Sequence, residues 1–476
     1  MKRMMFTAIA AGLAAAVQVQ AKVTLAPVFG DNMVLQRELP VAVWGTADPQ
    51  EDVTVAFAGQ GVKAKADDKG AWKLRLQPLT ASKENRTLTA TGKDNTVTVN
   101  NVLVGEVWLC SGQSNMEMPL WGGAPQFRDK NGALLASLAN YPFIRFSRMA
   151  NYDFSVTPRT DYPMTWQALR PDNAAPLSAV SFYYGVELYR ALDIPIGLVT
   201  SHWGGTRIEP WTPPCGFESI PSLKGIVDGL PNLKPKTEGE KNQHQQPTVL
   251  YNRMLYPFVP YTFRGAIWYQ GCSNLGDGAV YGDKMQALLN GWKTVFENPG
   301  LKFYFAQLAP FTYGGDGLAL PVLWETQQKF ADGEKDAGMA VINDVGDLRD
   351  IHPRDKETVG RRLAVLALNR DYGFKDVIAD SPTLKSHTVE NGKFVLSFDH
   401  VKQFHTPGNK IPAKHFEVAG EDGKFVPAVC ELKGDRLIVG AEGVAEPKQL
   451  HYLWHQTNEG NLYNEGCLPL GAFRIQ

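Results

Sequence analysis

A serine, a carboxylate and an imidazole make a hydrolytic triad, and this chain supplies all three in two widely separated stretches. Gly112-Gln113-Ser114-Asn115-Met116 carries the serine, and Asp350-Ile351-His352-Pro353 carries the other two. A serine hydroxyl attacks poorly until a base takes its proton, and imidazole titrates near neutrality, so His352 is the matching base. A carboxylate must then fix the imidazole tautomer and stabilise its protonated form. Asp350, two positions before His352, and Asp347, five before it, both fit that part. His202 is the rival imidazole.

Acyl transfer also needs donors aimed at the developing oxyanion. The backbone amide of Ser114 is one. Gly205, in Trp203-Gly204-Gly205-Thr206, lets a backbone amide approach closely, and Asn274, in Trp268-Tyr269-Gln270-Gly271-Cys272-Ser273-Asn274, brings a side-chain amide. Gln113, Trp203, Arg207, Glu209 and Gln270 are expected around the same pocket. Other serine-enzyme frameworks fit poorly. The Gly-x-Ser-x-Gly elbow needs glycine where Met116 stands, and the trypsin order places histidine before serine. No metal-binding motif or dinucleotide fingerprint is present, so no metal and no organic cofactor is implied.

These groups must be brought together by the elements that carry them. Ser114 follows the apolar run Val104 to Cys110, the glycine pair follows Ile196-Gly197-Leu198-Val199, Asn274 follows Gly265-Ala266-Ile267-Trp268, and His352 follows Met339-Ala340-Val341-Ile342-Asn343. Each run has strand character, which places every candidate at the carboxyl edge of one sheet, where open α/β sheets bind ligands. Phe303 to Ala306 reads as another strand. Met285, Leu288, Leu289, Trp292 and Phe296, and likewise Val359, Leu363 and Leu366, recur at helical spacing. Strand alternating with helix over residues 101–372 predicts a parallel sheet covered on both faces. Short alternating strands punctuated by turn residues predict a β-domain over 22–100, and β character returns over 373–476. The polar, proline-containing stretch Leu230 to Pro247 reads as a surface loop near the site.

At 476 residues the chain has room for two or three domains. Its 48 basic and 49 acidic side chains nearly balance, leaving no electrostatic footprint for nucleic acid or an anionic membrane. Lys2 and Arg3, an apolar stretch from Met4 to Val17 and Val19-Gln20-Ala21 form an export signal, so residues 1–21 are expected to be removed and the mature chain to be periplasmic or secreted. No later segment is long enough to cross a membrane. Five cysteines, an odd number, leave at least one thiol free, and Cys110 and Cys272 lie near proposed catalytic elements as a bridge or as buried thiols.

Together the motifs resemble the SGNH-hydrolase superfamily and, within it, the sialate O-acetylesterase type of carbohydrate acetylesterase. The matching pieces are Gly105 through Met118, Trp203 through Trp211, Trp268 through Asn274 and Asp350 through Leu363, with Phe29 to Gln36 and Asn461 to Asn464 in the flanks. The resemblance implies a flavodoxin-like α/β sheet, a serine esterase acting on acetylated carbohydrates, sialate first and acetylxylan or another glycan next, and no cofactor. It assigns Ser114 as nucleophile, Gly205 and Asn274 as oxyanion donors and His352 as base. The superfamily's acid usually lies three residues before the histidine, where this chain has Arg349, so the part passes to Asp350 with Asp347 in reserve. The family commonly has glutamate at the position of Cys272. Trp203 and Arg207 could then contact a sugar ring and a sugar carboxylate. The competing reading of another class is a glycan-binding protein on a hydrolase scaffold that has lost its chemistry.

Overall fold

The computed structural model describes residues 22–149 and 151–476. The export signal expected over residues 1–21 lies outside them.

The central unit contains strands β1 (Thr96–Gly112), β2 (Tyr141–Arg148), β3 (Trp166–Leu169), β4 (Ile196–His202), β5 (Gly265–Tyr269), β6 (Lys302–Ala306) and β7 (Ala337–Ala340). Its helices include α1 (Ser114–Glu117), α2 (Ala179–Leu192), α3 (Val280–Val295), α4 (Ala319–Gly333) and α5 (Lys356–Asp371), with shorter ones over Gly132–Leu138, Pro214–Glu218 and Lys224–Gly229. The sheet order is β3-β2-β4-β1-β5-β6-β7, with every neighbouring pair parallel except β3 against β2. The expected all-parallel sheet is therefore mixed at one edge. The β2–β3 pair lies in a segment whose sequence gave no clear alternation. Helices α2 and α5 pack together on one face and α3 and α4 on the other. Five strands, β4-β1-β5-β6-β7, follow the flavodoxin-like order. Its topological switch point, where the chain leaves β1 and β5 in opposite directions, forms a crevice at their carboxyl ends.

The strands of this unit are apolar almost throughout because helices cover both faces. Every residue of β4 and β5 is buried. β1 is the exception in length. Its first half pairs antiparallel with Ser82–Thr91 of the amino-terminal region and parallel with Val34–Gln36, and its second half runs down the centre of the main sheet. The boundary expected at residue 100 thus falls inside one continuous strand, and the hydrophobic core is shared across it.

The flanking motif around Gln36 is structural. Glu106, fully buried on β1, receives Arg37 Nε at 2.6 Å, Arg264 Nε at 3.0 Å and Gln36 Nε2 at 3.0 Å. Burial alone would raise its carboxyl pKa, but the Arg264 and Arg37 guanidiniums and the Gln36 amide outweigh it and hold the pKa down. The carboxy-terminal region forms two four-stranded antiparallel sheets. It docks on the central unit through Asn343 Nδ2, which donates to the Leu470 carbonyl at 2.8 Å, and through the Arg474–Glu325 ion pair. Among the described residues all five cysteines are free thiols, and no helix is long and apolar enough to cross a membrane.

Candidate active site

The carboxyl ends of β1, β4 and β5 meet in register. Gly112 lies beside His202 on one side and Tyr269 on the other, and the Gln113 amide donates to the Tyr269 carbonyl at 3.0 Å. Gly112 takes φ +144°, and a β-carbon there would lie 2.3 Å from the Tyr269 carbonyl oxygen, so only glycine permits this close exit from the strand. The next residues turn at once into α1, which begins at Ser114.

The histidine arrives from the far end of the chain. His352 Nε2 stands 2.8 Å from Ser114 Oγ. Asp350 Oδ1 accepts the His352 backbone N–H at 2.9 Å and lies 3.5 Å from Nδ1. That placement favours the tautomer with its proton on Nδ1, leaving Nε2 to accept from the serine. Burial lowers the His352 pKa, the nearby charge of Lys356 lowers it further, and Asp350 opposes them, leaving it below the ordinary histidine value. Phe127 sets its ring edge-on to the imidazole at 5.0 Å. Asp347 is elsewhere employed: its carboxylate accepts the Arg349 amide at 2.9 Å and its carbonyl the Asp350 amide, which makes it a turn former. His202, the rival imidazole, is buried at the end of β4, and burial together with Arg148 depresses its pKa to about 3.

The glycine pair abuts the serine. A β-carbon on Gly204 would lie 3.3 Å from that of Ser114, and the Gly204 amide donates to Glu117 Oε2 at 2.6 Å. Gly205, at φ +73°, turns the chain so that its carbonyl accepts from Gln245 Nε2 and Ser273 Oγ, both at 2.9 Å. Gln113 Oε1 accepts the amides of Gly271 and Cys272 at 2.8 and 3.1 Å, tying the serine turn to the loop after β5.

Asn274 is differently placed from expectation. Its amide nitrogen donates to Glu209 Oε2 at 3.0 Å and Asp277 Oδ2 at 2.7 Å, and its oxygen accepts from Ile208 N and Gln270 Nε2. A carboxamide has two donor hydrogens and two lone pairs, so these four bonds saturate it and leave no hydrogen for an oxyanion. Arg207 joins the same cluster, donating to Glu209, Asp277 and the Ser273 carbonyl, while Lys284 Nζ reaches Glu209 at 2.7 Å and Asp277 at 2.6 Å. Burial would raise the Glu209 pKa, yet Arg207, Lys284 and Asn274 hold it at about 2. Gln270 is fully buried and accepts from the Tyr281 hydroxyl at 2.8 Å. Gln113, Glu209 and Gln270 therefore frame the pocket from behind rather than face into it, and the Arg207 charge is balanced by two carboxylates. Among the described residues no cluster of metal-ligating side chains is present.

A family model described as carbohydrate esterase, sialic acid-specific acetylesterase, matches residues 104–349, from β1 into the loop that carries Asp350 and His352. The chain belongs to this family. The sialate O-acetylesterases of Mus musculus and Homo sapiens are 30% and 29% identical to it, over 80% and 82% of this chain and 80% and 79% of theirs. A carbohydrate acetylesterase from Xanthomonas citri superposes with a TM-score of 0.85 at 33% identity, covering 95% of this chain and 99% of that one. The protein is accordingly a carboxylic ester hydrolase.

The candidate site also contains groups outside the residues expected there. Glu117, one helical turn after Ser114, holds both the Gly204 amide and the Tyr152 hydroxyl, the latter at 2.7 Å. Tyr152 stacks on Trp203 at 5.3 Å, and Trp203 stacks on His244 at 4.6 Å, so this tryptophan is the middle ring of a stack joining three loops. The spacing of Glu117 to Ser114 was a usable signal. Tyr152 sits in an irregular segment and His244 in a single 3-10 turn, Gln243–Gln245, and neither had one. Asn115 and Lys356 were visible inside the matched motifs, but only the fold shows what they touch.

Proposed function

We propose that the protein is an exported serine esterase that removes O-acetyl groups from carbohydrates through an acyl-enzyme on Ser114. His352 takes the serine proton as the hydroxyl attacks the acetyl carbonyl, returns it to the departing sugar oxygen, and then activates water to release acetate. Asp350 keeps the imidazole proton on Nδ1. The backbone amides of Ser114 and Gly205 serve the oxyanion, with Asn274 fixing the loop beside them.

The observation that carries this reading is the 2.8 Å approach of His352 Nε2 to Ser114 Oγ at the carboxyl edge of the sheet. Similarity to sialate O-acetylesterases supports an acetylated sialate as substrate. A second reading, an acetylated neutral glycan such as xylan, is favoured by the internal neutralisation of Arg207, which leaves it without a free charge for a sugar carboxylate. Mass spectrometry of acetate loss across acetylated sialosides and hemicellulose oligosaccharides, with wild type and Ser114→Ala in parallel, tests both. Release by wild type alone supports the mechanism, and the preferred sugar decides the class. Equal release by the two proteins would remove Ser114 from the chemistry.

A further inference from the structure

Lys356 opens α5 four residues after His352, and its side chain is completely buried. Among the described residues its ammonium forms no ion pair. Nζ donates instead to Asn115 Oδ1 at 2.5 Å and lies 5.2 Å from the centre of the Tyr269 ring, while the Lys356 backbone N–H donates to Asp129 Oδ2 at 3.2 Å. A buried cation with no carboxylate in contact is costly to hold.

Its one direct polar partner gives it a task. Asn115 directly follows Ser114, and its Nδ2 donates to the carbonyl of Ile351, the peptide that precedes His352, at 3.0 Å. An ammonium can only donate and a carbonyl can only accept, so with Lys356 charged the two ends fix the Asn115 amide in a single orientation. The chain of contacts from Lys356 through Asn115 to Ile351 crosses from the helix of the serine to the loop of the histidine.

We propose that Lys356 is a positioning residue for the ester-cleaving pair: its ammonium orients the Asn115 amide that clamps the His352 loop to Ser114, and its charge keeps the imidazole in the basic, neutral form. This rests on the reading of Ser114 and His352 as nucleophile and base. The groups facing Lys356 are Cys272 and Tyr269 from the β5 side, Asp129 from the segment before β2, and Asp350 and Asp355 from the histidine loop. Burial lowers the Lys356 pKa to about 7, whereas His352 titrates below its ordinary value of 6.5. In its charged form the lysine resists proton uptake by the imidazole.

Lys356→Met keeps the length of the side chain and removes the charge. NMR titration of the His352 imidazole, read alongside kcat/KM for 4-nitrophenyl acetate against pH, should show the histidine midpoint and the acid limb moving up together by about one pH unit. kcat should fall roughly tenfold, with KM within about twofold. A folded Lys356→Met whose imidazole titrates where wild type does overturns the proposal, whatever its rate. Should that variant fail to fold, titration of Lys356 in the wild-type protein, labelled at the ε-carbon, decides. A lysine already neutral while His352 is being protonated also overturns it. Ser114→Ala separates the two readings, because acetate release persisting there refutes the nucleophile while leaving both titrations measurable.

Discussion

Two polar constellations share the carboxyl edge of the sheet, and they are built on opposite principles. The cluster of Arg207, Glu209, Asn274, Asp277 and Lys284 is closed: donors and acceptors are matched, and its charges neutralise one another. The Ser114–His352 pair is open. One short contact joins the two, the supporting carboxylate stands at 3.5 Å, and the histidine is held below its ordinary pKa by burial and a neighbouring cation. A saturated network gains rigidity and has nothing left to offer a substrate, whereas an unsaturated pair stores the capacity to change partners during a reaction.

The contrast can be broken most severely at the serine. Ser114→Ala should lower acetate release by about 10⁴-fold or more with the melting temperature little changed, because triad members act as a unit. Asn274→Ala should do the reverse and act first on stability. Removing an amide that satisfies Ile208, Gln270 and two carboxylates should cost about 3 kcal/mol in denaturant melts. A variant with wild-type stability and a hundredfold lower kcat would instead return Asn274 to the oxyanion. Asp350→Asn should reduce kcat by about 10–100-fold, given its loose contact, while Asp347→Asn, a turn residue, should stay within about twofold. The smallest effect is on pH. On the proposed mechanism, activity requires neutral His352, so it should be present above the folded-state pKa and lost as pH falls through it. With that pKa lowered, the acid limb of kcat/KM should have its midpoint below 6.5, and a midpoint above 6.5 would show that the imidazole gains more from Asp350 than it loses to burial and Lys356.

Much of the central unit was legible because its signals are local. Apolar runs such as Gly265 to Trp268 and the helical spacing of Met285, Leu288, Leu289 and Trp292 became β5 and α3. The antiparallel edge pair β2–β3 was not, since an edge beside a loop-rich segment carries no distinct periodicity. The boundary near residue 100 falls inside a strand that crosses between two sheets: exposed and buried residues alternate up to Asn101 and every residue after it is buried, so the change of pattern marks a change of sheet and not the end of the element. Among the site residues, Ser114, His352 and Asp350 lie in a sequence of contacts, each within 3.5 Å. Asn274 and Arg207 show the limit of reading by type, because an amide or a guanidinium looks equally available in a sequence whether or not the fold has already used its hydrogens.

The sequence by itself determined which atoms are on hand and which strand ends carry them, because residue type and hydrophobic period are properties of short segments. It determined membership of the esterase family for the same reason, through motifs that each fit within a dozen or so positions. Only the tertiary structure decided which donors remain unspent, which carboxylate faces the imidazole, and that a lysine lies buried behind the serine. Those outcomes depend on partners brought from distant parts of the chain, and hydrogen bonds and desolvation act over a few ångströms of space regardless of separation along the backbone.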